Sequence, residues 1–196
     1  PIARSEFGFD PKRDLNGLNA DSLTAAVPWH DTWHRLVFVD GVFAKDLSSR
    51  PEAVNSVRVS SLAAALVSDN GAVQEHLAKH ALFEDDGFAA LNTAFVRDGA
   101  YVRVPSNVTL EAPLHLVFVS TGRAEPTVSY PRVLLVAEAG SRATVIESYA
   151  ALGDGKYFND AVSETILGEG AEIEHYRLQA EGESAFHVGT ARVVQA

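Results

Sequence analysis

The chain has 196 residues, with 16 lysines and arginines against 26 aspartates and glutamates, for a formal net charge of −10. Such an acidic surface repels nucleic acid and anionic membranes. There is no cysteine, which excludes disulfides, a thiolate nucleophile and cysteine ligation of a metal or cluster.

No run approaches the roughly 18 apolar residues of a membrane helix, and no secretory signal is evident. The chain also lacks methionine, so Pro1 does not look like a natural start. Val193–Ala196 stops inside an apparent strand, and we expect a piece of a longer protein. The bare rung edges at such a stop invite strand pairing, so we expect self-association through an open end.

Pro1 to about Ala26 is polar and weakly periodic and reads as extended coil, with Phe7, Phe9, Leu15 and Leu18 available to pin it. Trp29 and Trp33 are spaced for one face of a helical turn, and two such rings are expected to pack against the domain. In Arg35–Ala44, Asp40-Gly41 lies between two apolar runs, the signature of a type I′ hairpin. A further strand, Ser56–Ser60, comes after the loop Ser48–Glu52. Then the period changes. Ser61 can cap a helix carrying Leu62, Ala65 and Leu66 that ends at Asn70-Gly71. A second helix is expected from about Ala72 to Leu82, with Val73, Leu77 and Ala81 on one stripe. A third starts at Asp85-Asp86 and should bury Phe88, Leu91 and Phe95. These helices read as a lid over the first rung of the β body that begins at Gly99.

From Gly99 onward short alternating segments are separated by turns: Val102/Val104, Val108/Leu110, Leu114/Leu116/Phe118, Leu134/Val136, Val145, Ala171/Ile173 and Val188. A glycine followed directly by an alternating strand recurs at Gly99, Gly140 and Gly170. The unequal spacing argues against a propeller and suits a parallel β-helix, whose coils tolerate insertions. The fold class expected is therefore mainly β: a β-helix solenoid over residues 99–196, preceded by a small α+β cap over residues 1–98. An antiparallel β-sandwich is the alternative.

The candidate chemistry is sparse. His76 and His80 are one helical turn apart, as metal-binding pairs are, with Glu75 and Glu84 nearby; His-Glu-x-x-His is absent. His30 and His34 share that spacing with less support. His115, His175 and His187 fall on strands without a nucleophile motif. Glu164, Glu172 and Glu174 could line up on neighbouring coils, as carboxylates do in calcium-binding or sugar-cleaving β-helices. Solvated carboxylates are the plainer reading on so acidic a chain. Gly153-Asp-Gly-Lys156 is not a phosphate loop, and Asn107-Val-Thr109 is a bare sequon. No catalytic, cofactor-binding or metal residue is assigned.

At Ala90–Phe95, Asp98-Gly99 and Val102–Pro105 the chain resembles the SufD family of iron–sulfur cluster assembly proteins. The similarity continues through Pro113–Leu116, Pro131-Arg132, Glu147–Tyr149, Tyr157–Asn159, His175-Tyr176, Leu178-Gln179 and Phe186–Thr190. The hairpin Leu36–Phe43 and Ser61-Leu62 extend it upstream. Tyr130 departs from the pattern, which has histidine before Pro-Arg. The resemblance implies a right-handed parallel β-helix and a cytoplasmic scaffold subunit without turnover of its own. It also implies pairing with SufB and docking on the ATPase SufC. The family's ligand-bearing histidine and SufC-gripping helices lie beyond Ala196, so no functional residue is carried over. A cysteine-free segment is not expected to hold a cluster unaided. The alternative from another class is a β-helix that binds or cleaves polysaccharide.

Overall fold

The computed structural model describes residues 2–9, 18–49, 56–81, 84 and 86–196. Among these, eleven strands and four α-helices build two sheets that face each other. One sheet contains β1 (His34–Val39), β2 (Val42–Phe43), β5 (Leu114–Ser120), β8 (Arg142–Ala151) and β10 (Glu172–Ala180), in the order β10-β8-β5-β1-β2. The other contains β3 (Arg58–Ser61), β4 (Gly99–Val104), β7 (Arg132–Ala137), β9 (Tyr157–Leu167) and β11 (Phe186–Gln195), ordered β11-β9-β7-β4-β3. The short β6 (Thr127–Ser129) pairs with β9.

From β4 onward successive long strands alternate between the sheets, and each stacks in parallel on the strand one coil earlier. Arg142 and Glu172, paired in register, are 30 residues apart. This is a parallel β-solenoid, and the antiparallel sandwich is overturned. The antiparallel pairs are the β1–β2 hairpin and β3 against β4. In the hairpin turn Asp40 and Gly41 both take positive φ, 46° and 78°, as a type I′ turn requires. β1 is itself a rung, pairing in parallel with β5 from His34↔Leu114 to Val39↔Val119.

Alternation decides what lies between the sheets. Leu36, Phe38, Leu114, Leu116, Phe118 and Val145 meet Ala100, Val102, Val133, Leu135 and Ala161 of the opposite sheet. Phe38, Phe118 and Tyr149 stack from rung to rung, with centroids 4.9 and 5.0 Å apart. Strands buried on both faces need covers outside, and the N-terminal half supplies them. α1 (Ala20–Ala26) sets Leu23 over Val37, Val39, Val117 and Val119, with Val27 beside it. α2 (Leu62–Ser68) and α3 (Asn70–His76) cover Tyr101, Leu134 and Val136. The helices thus clothe the outer sheet faces rather than closing an end.

Several local expectations change. α1 stands where coil was expected, because Asn19 and Ser22 form a reciprocal capping box. Leu15 lies outside the described residues, as do Leu82, Asp85 and residues 50–55. Asn70-Gly71 opens α3 rather than ending α2, and α3 stops at His76, just before Ala78 at φ +59°. α4 (Gly87–Phe95) is capped by Asp86, but Phe88 and Phe95 are 37% and 45% exposed. Its buried residues are Ala89 and Asn92, because the helix turns its one amide toward the sheet. Trp29 and Trp33 flank the Asp31-Thr32 turn rather than sharing a helix face: Arg35 lies 3.5 Å over the Trp29 ring, and Trp33 packs on His30 and His115. Val108 and Leu110 flank an isolated bridge, Thr109↔Arg142. Gly140 and Gly170 occupy equivalent turns at φ +67° and +66°. Gly99 is different: it opens β4 at a close approach to Arg132.

Candidate functional site

The interior changes character along the solenoid. Apolar through the early coils, it turns polar where β8 and β9 meet β10 and β11. Glu147, inward between Val145 and Tyr149, is fully buried. Its Oε1 lies 2.9 Å from His175 Nε2, and its Oε2 accepts from Arg177 Nε at 3.1 Å and from Tyr149 Oη at 3.0 Å. Arg177 Nη2 also donates across the interior to Ser163 Oγ at 2.8 Å, tying the two sheets together. Burial pushes the Glu147 carboxyl up, but the His175 contact and the Arg177 charge outweigh it and hold it below the usual carboxylate range. Burial, with the Glu147 charge added, pushes the Tyr149 phenol well up.

A second pair lies beside the first. His187 Nδ1 is 2.9 Å from Glu181 Oε2, and its ring meets Tyr149 edge-on with centroids 4.7 Å apart. Asn159 Nδ2 donates to Glu181 Oε1 at 2.8 Å, and Ser129 Oγ donates to Asn159 Oδ1. Glu181 also sits below the usual carboxylate range, because His187 and Asn159 overcome its burial. Two imidazole–carboxylate pairs and a guanidinium in one interior can hold charge and position protons. Among the described residues no three His, Cys, Asp or Glu side chains converge as a metal site.

The other expected candidates are scattered. His115 is buried on the outer face of β5, its Nε2 2.7 Å from Ser148 Oγ. Burial, helped by the Arg35 charge, lowers it to about 4, so the imidazole is neutral at pH 7. With Ser148 itself buried, the pair is sealed from any substrate. Glu164, Glu172 and Glu174 do not line up, because β9 and β10 belong to different sheets. Glu172 pairs with Arg142 at the surface, and Glu174 accepts from Thr144. The His76 and His80 rings stack 6.1 Å apart without a third ligand among the described residues. His30 contacts Thr32, not His34.

Glu164 is instead the centre of a buried clamp outside the other sheet. It accepts from Arg132 Nη2 at 2.6 Å and from the backbone N–H groups of Ala78, His80 and Ala81. Burial raises its pKa, but Arg132 and those N–H groups bring it below the usual range. Asn92, which no sequence signal singled out, joins the clamp. Its Nδ2 donates to the carbonyls of Pro131 and Asp160, and its Oδ1 accepts from Arg132 Nη1. Only its polar identity within an apolar helix hinted at this. Tyr130, the departure from the family pattern, stacks on Phe95 and meets Phe9 edge-on.

Two family models match in succession. The SufBD protein N-terminal region covers residues 6–116, and the SUF system FeS cluster assembly SufBD core domain covers residues 118–196. The chain belongs to the SufBD family. The boundary between the two models falls inside β5, so the N-terminal region supplies the first rungs and the outer covers. A SufBD family iron–sulfur cluster assembly protein of Synechocystis is 35% identical over 175 residues, covering 82% of this chain and 37% of the relative. One of Arabidopsis thaliana is 30% identical over 144 residues, covering 71% of this chain and 30% of its own length. The iron–sulfur cluster assembly protein SufD of Bacillus subtilis is 34% identical over 94 residues, 47% of this chain and 21% of its own. The chain thus spans little more than a third of these SufBD relatives at most. Among the described residues no helix is long and apolar enough to cross a membrane.

Proposed function

We propose that this chain is part of a cytoplasmic, SufD-type scaffold subunit of the SUF iron–sulfur cluster assembly machinery, without turnover of its own. It pairs with a SufB-like subunit, and the assembly docks on the ATPase SufC. The observation that carries this reading is the unbroken succession of the two SufBD family models over a parallel solenoid. Similarity to a relative named SufD supports the SufD type, and these 196 residues contain no cysteine. A chain without thiolates suits positioning a partner's cluster chemistry better than ligating the cluster, which is cargo here. The interior carboxylates are engaged, Glu147 by Arg177, His175 and Tyr149 and Glu181 by His187 and Asn159, as befits framework rather than a free acid or base. Glu164 is sealed under Arg132 and does not join Glu172 and Glu174 in the row of carboxylates that the polysaccharide alternative calls for.

Affinity capture of the natural gene product from its own cells tests the proposal. Co-purification of an ABC-type ATPase together with a second SufBD-family protein is expected. Recovery of neither overturns the assembly role.

A further inference from the structure

α4 carries no ionisable side chain between Gly87 and Phe95, yet it lies on a buried carboxyl group. Asp160 projects outward from β9 beneath it and is fully buried. No hydrogen bond of ordinary geometry reaches either of its oxygens, and a carboxylate in that state is strongly disfavoured. The surrounding charges do little to relieve it. Asp86 faces it from the α4 N-cap, and Arg132 of β7 is committed to Glu164, Asn92 and Thr93. Glu164, on the same face of β9, is engaged with Arg132 and with the backbone of His80. Tyr130, ahead of β7, is a neutral phenol pushed up by burial and then by Asp160. From β11, Thr190 donates to Asp86 at 3.1 Å and Arg192 attracts Asp86, not Asp160. Burial first and Asp86 second push Asp160 up to about 7, against the weaker pull of Arg132 and the Asn92 N–H.

We propose that Asp160 is a proton-operated latch for α4: as the neutral acid it lets the helix lie closed, and ionisation drives the N-terminal half off the sheet. The cheapest way to hydrate the carboxylate is to move α4, because β9 is locked in its ladder and Asp86 travels with the helix. Opening breaks the Asp86–Thr190 hydrogen bond to β11 and parts the Phe88 and Phe158 rings, whose centroids are 6.1 Å apart. Asn92, held by Arg132 and by the carbonyls of Pro131 and Asp160, remains as the hinge. The latch therefore couples the solution proton activity to the contact between the helical cover and β11.

Closing takes up a proton. The open population consequently rises with pH from the ordinary carboxylate value of 3.8 to about 7, and is level above that. Hydrogen exchange of residues 86–95, corrected for the intrinsic rate, reads this directly. Protection of α4 should fall by up to about tenfold per pH unit within the window, while α2 does not change in step. Asp160→Asn should abolish the slope and keep α4 protected. Asp86→Asn retains a capping side chain but removes the facing charge, so the slope should end at a lower pH. Protection of α4 that ignores pH in the parent, or a slope unaltered in either variant, overturns the latch.

Discussion

Arg132 and Glu164 meet at 2.6 Å on adjacent rungs, with side chains 1% and 0% exposed. Arg142 and Glu172 meet at 2.9 Å on the other sheet with side chains 59% and 64% exposed. The geometry is similar and the consequence opposite, because water screens the second pair. Arg132→Met leaves a buried carboxylate without its counter-charge and should cost about 3–5 kcal/mol. Arg142→Ala should cost no more than about 0.5 kcal/mol. Urea unfolding of the two variants measures the contrast, and equal losses would refute the assignment of the clamp.

Glu147 makes the corresponding prediction inside the solenoid. Glu147→Ala removes the acceptor shared by Arg177, His175 and Tyr149, and a loss of about 3 kcal/mol is expected. Replacing Arg177 as well should recover part of it, since the second change removes the stranded charge. A double-mutant cycle with zero coupling would show that the pair contributes nothing to cohesion.

His115 predicts a pH effect. Its folded pKa is lowered from 6.5 to about 4 by burial, with the Arg35 charge second. Between those values the unfolded chain binds the extra proton, so stability falls as pH drops through the window, by at most about 3 kcal/mol. Asp160 contributes the opposite slope over an overlapping range. The loss should therefore be clearest in an Asp160→Asn background, and His115→Gln should flatten it there. Unfolding midpoints across that range supply the test; an unchanged slope after His115→Gln would remove His115 as its source.

Three glycines separate close approach from mere flexibility. A Cβ on Gly99 would sit 1.8 Å from the Arg132 carbonyl oxygen, and one on Gly140, at φ +67°, 2.6 Å from Asn107 Oδ1. At Gly71, in α3, a Cβ would meet nothing within 4 Å. Gly99→Ala should prevent β4 and β7 from pairing, and Gly140→Ala should cost about 1–3 kcal/mol. Gly71→Ala should stabilise by up to about 1 kcal/mol. Thermal unfolding of the three variants should rank them in that order.

The edges and the composition of the chain set two further properties. β10 and β11 each pair on one side among the described residues, and Tyr176 and Val193 are exposed there. Sedimentation should show association that grows with concentration, and a strict monomer at high concentration would count against edge pairing. Anaerobic incubation with iron and sulfide should leave the chain colourless after desalting. A stable visible chromophore would contradict the thiolate-free scaffold reading.

The strand-rich second half, the Asp40-Gly41 hairpin and the caps at Ser61 and Asp86 were legible because their causes are local: alternation, positive φ and a side-chain acceptor near free N–H groups. The unequal coil spacing also favoured a solenoid. What alternation cannot encode is which strand stacks on which, since register depends on partners a coil away. Glu164 therefore read as one of three surface carboxylates, although it closes on the backbone of His80, 84 residues earlier. Asn92 offered no more than its polarity within an apolar helix, and Ser148 gave no warning, for the same reason. Their roles exist only after two distant strands, or a helix and a sheet, have excluded water from between them.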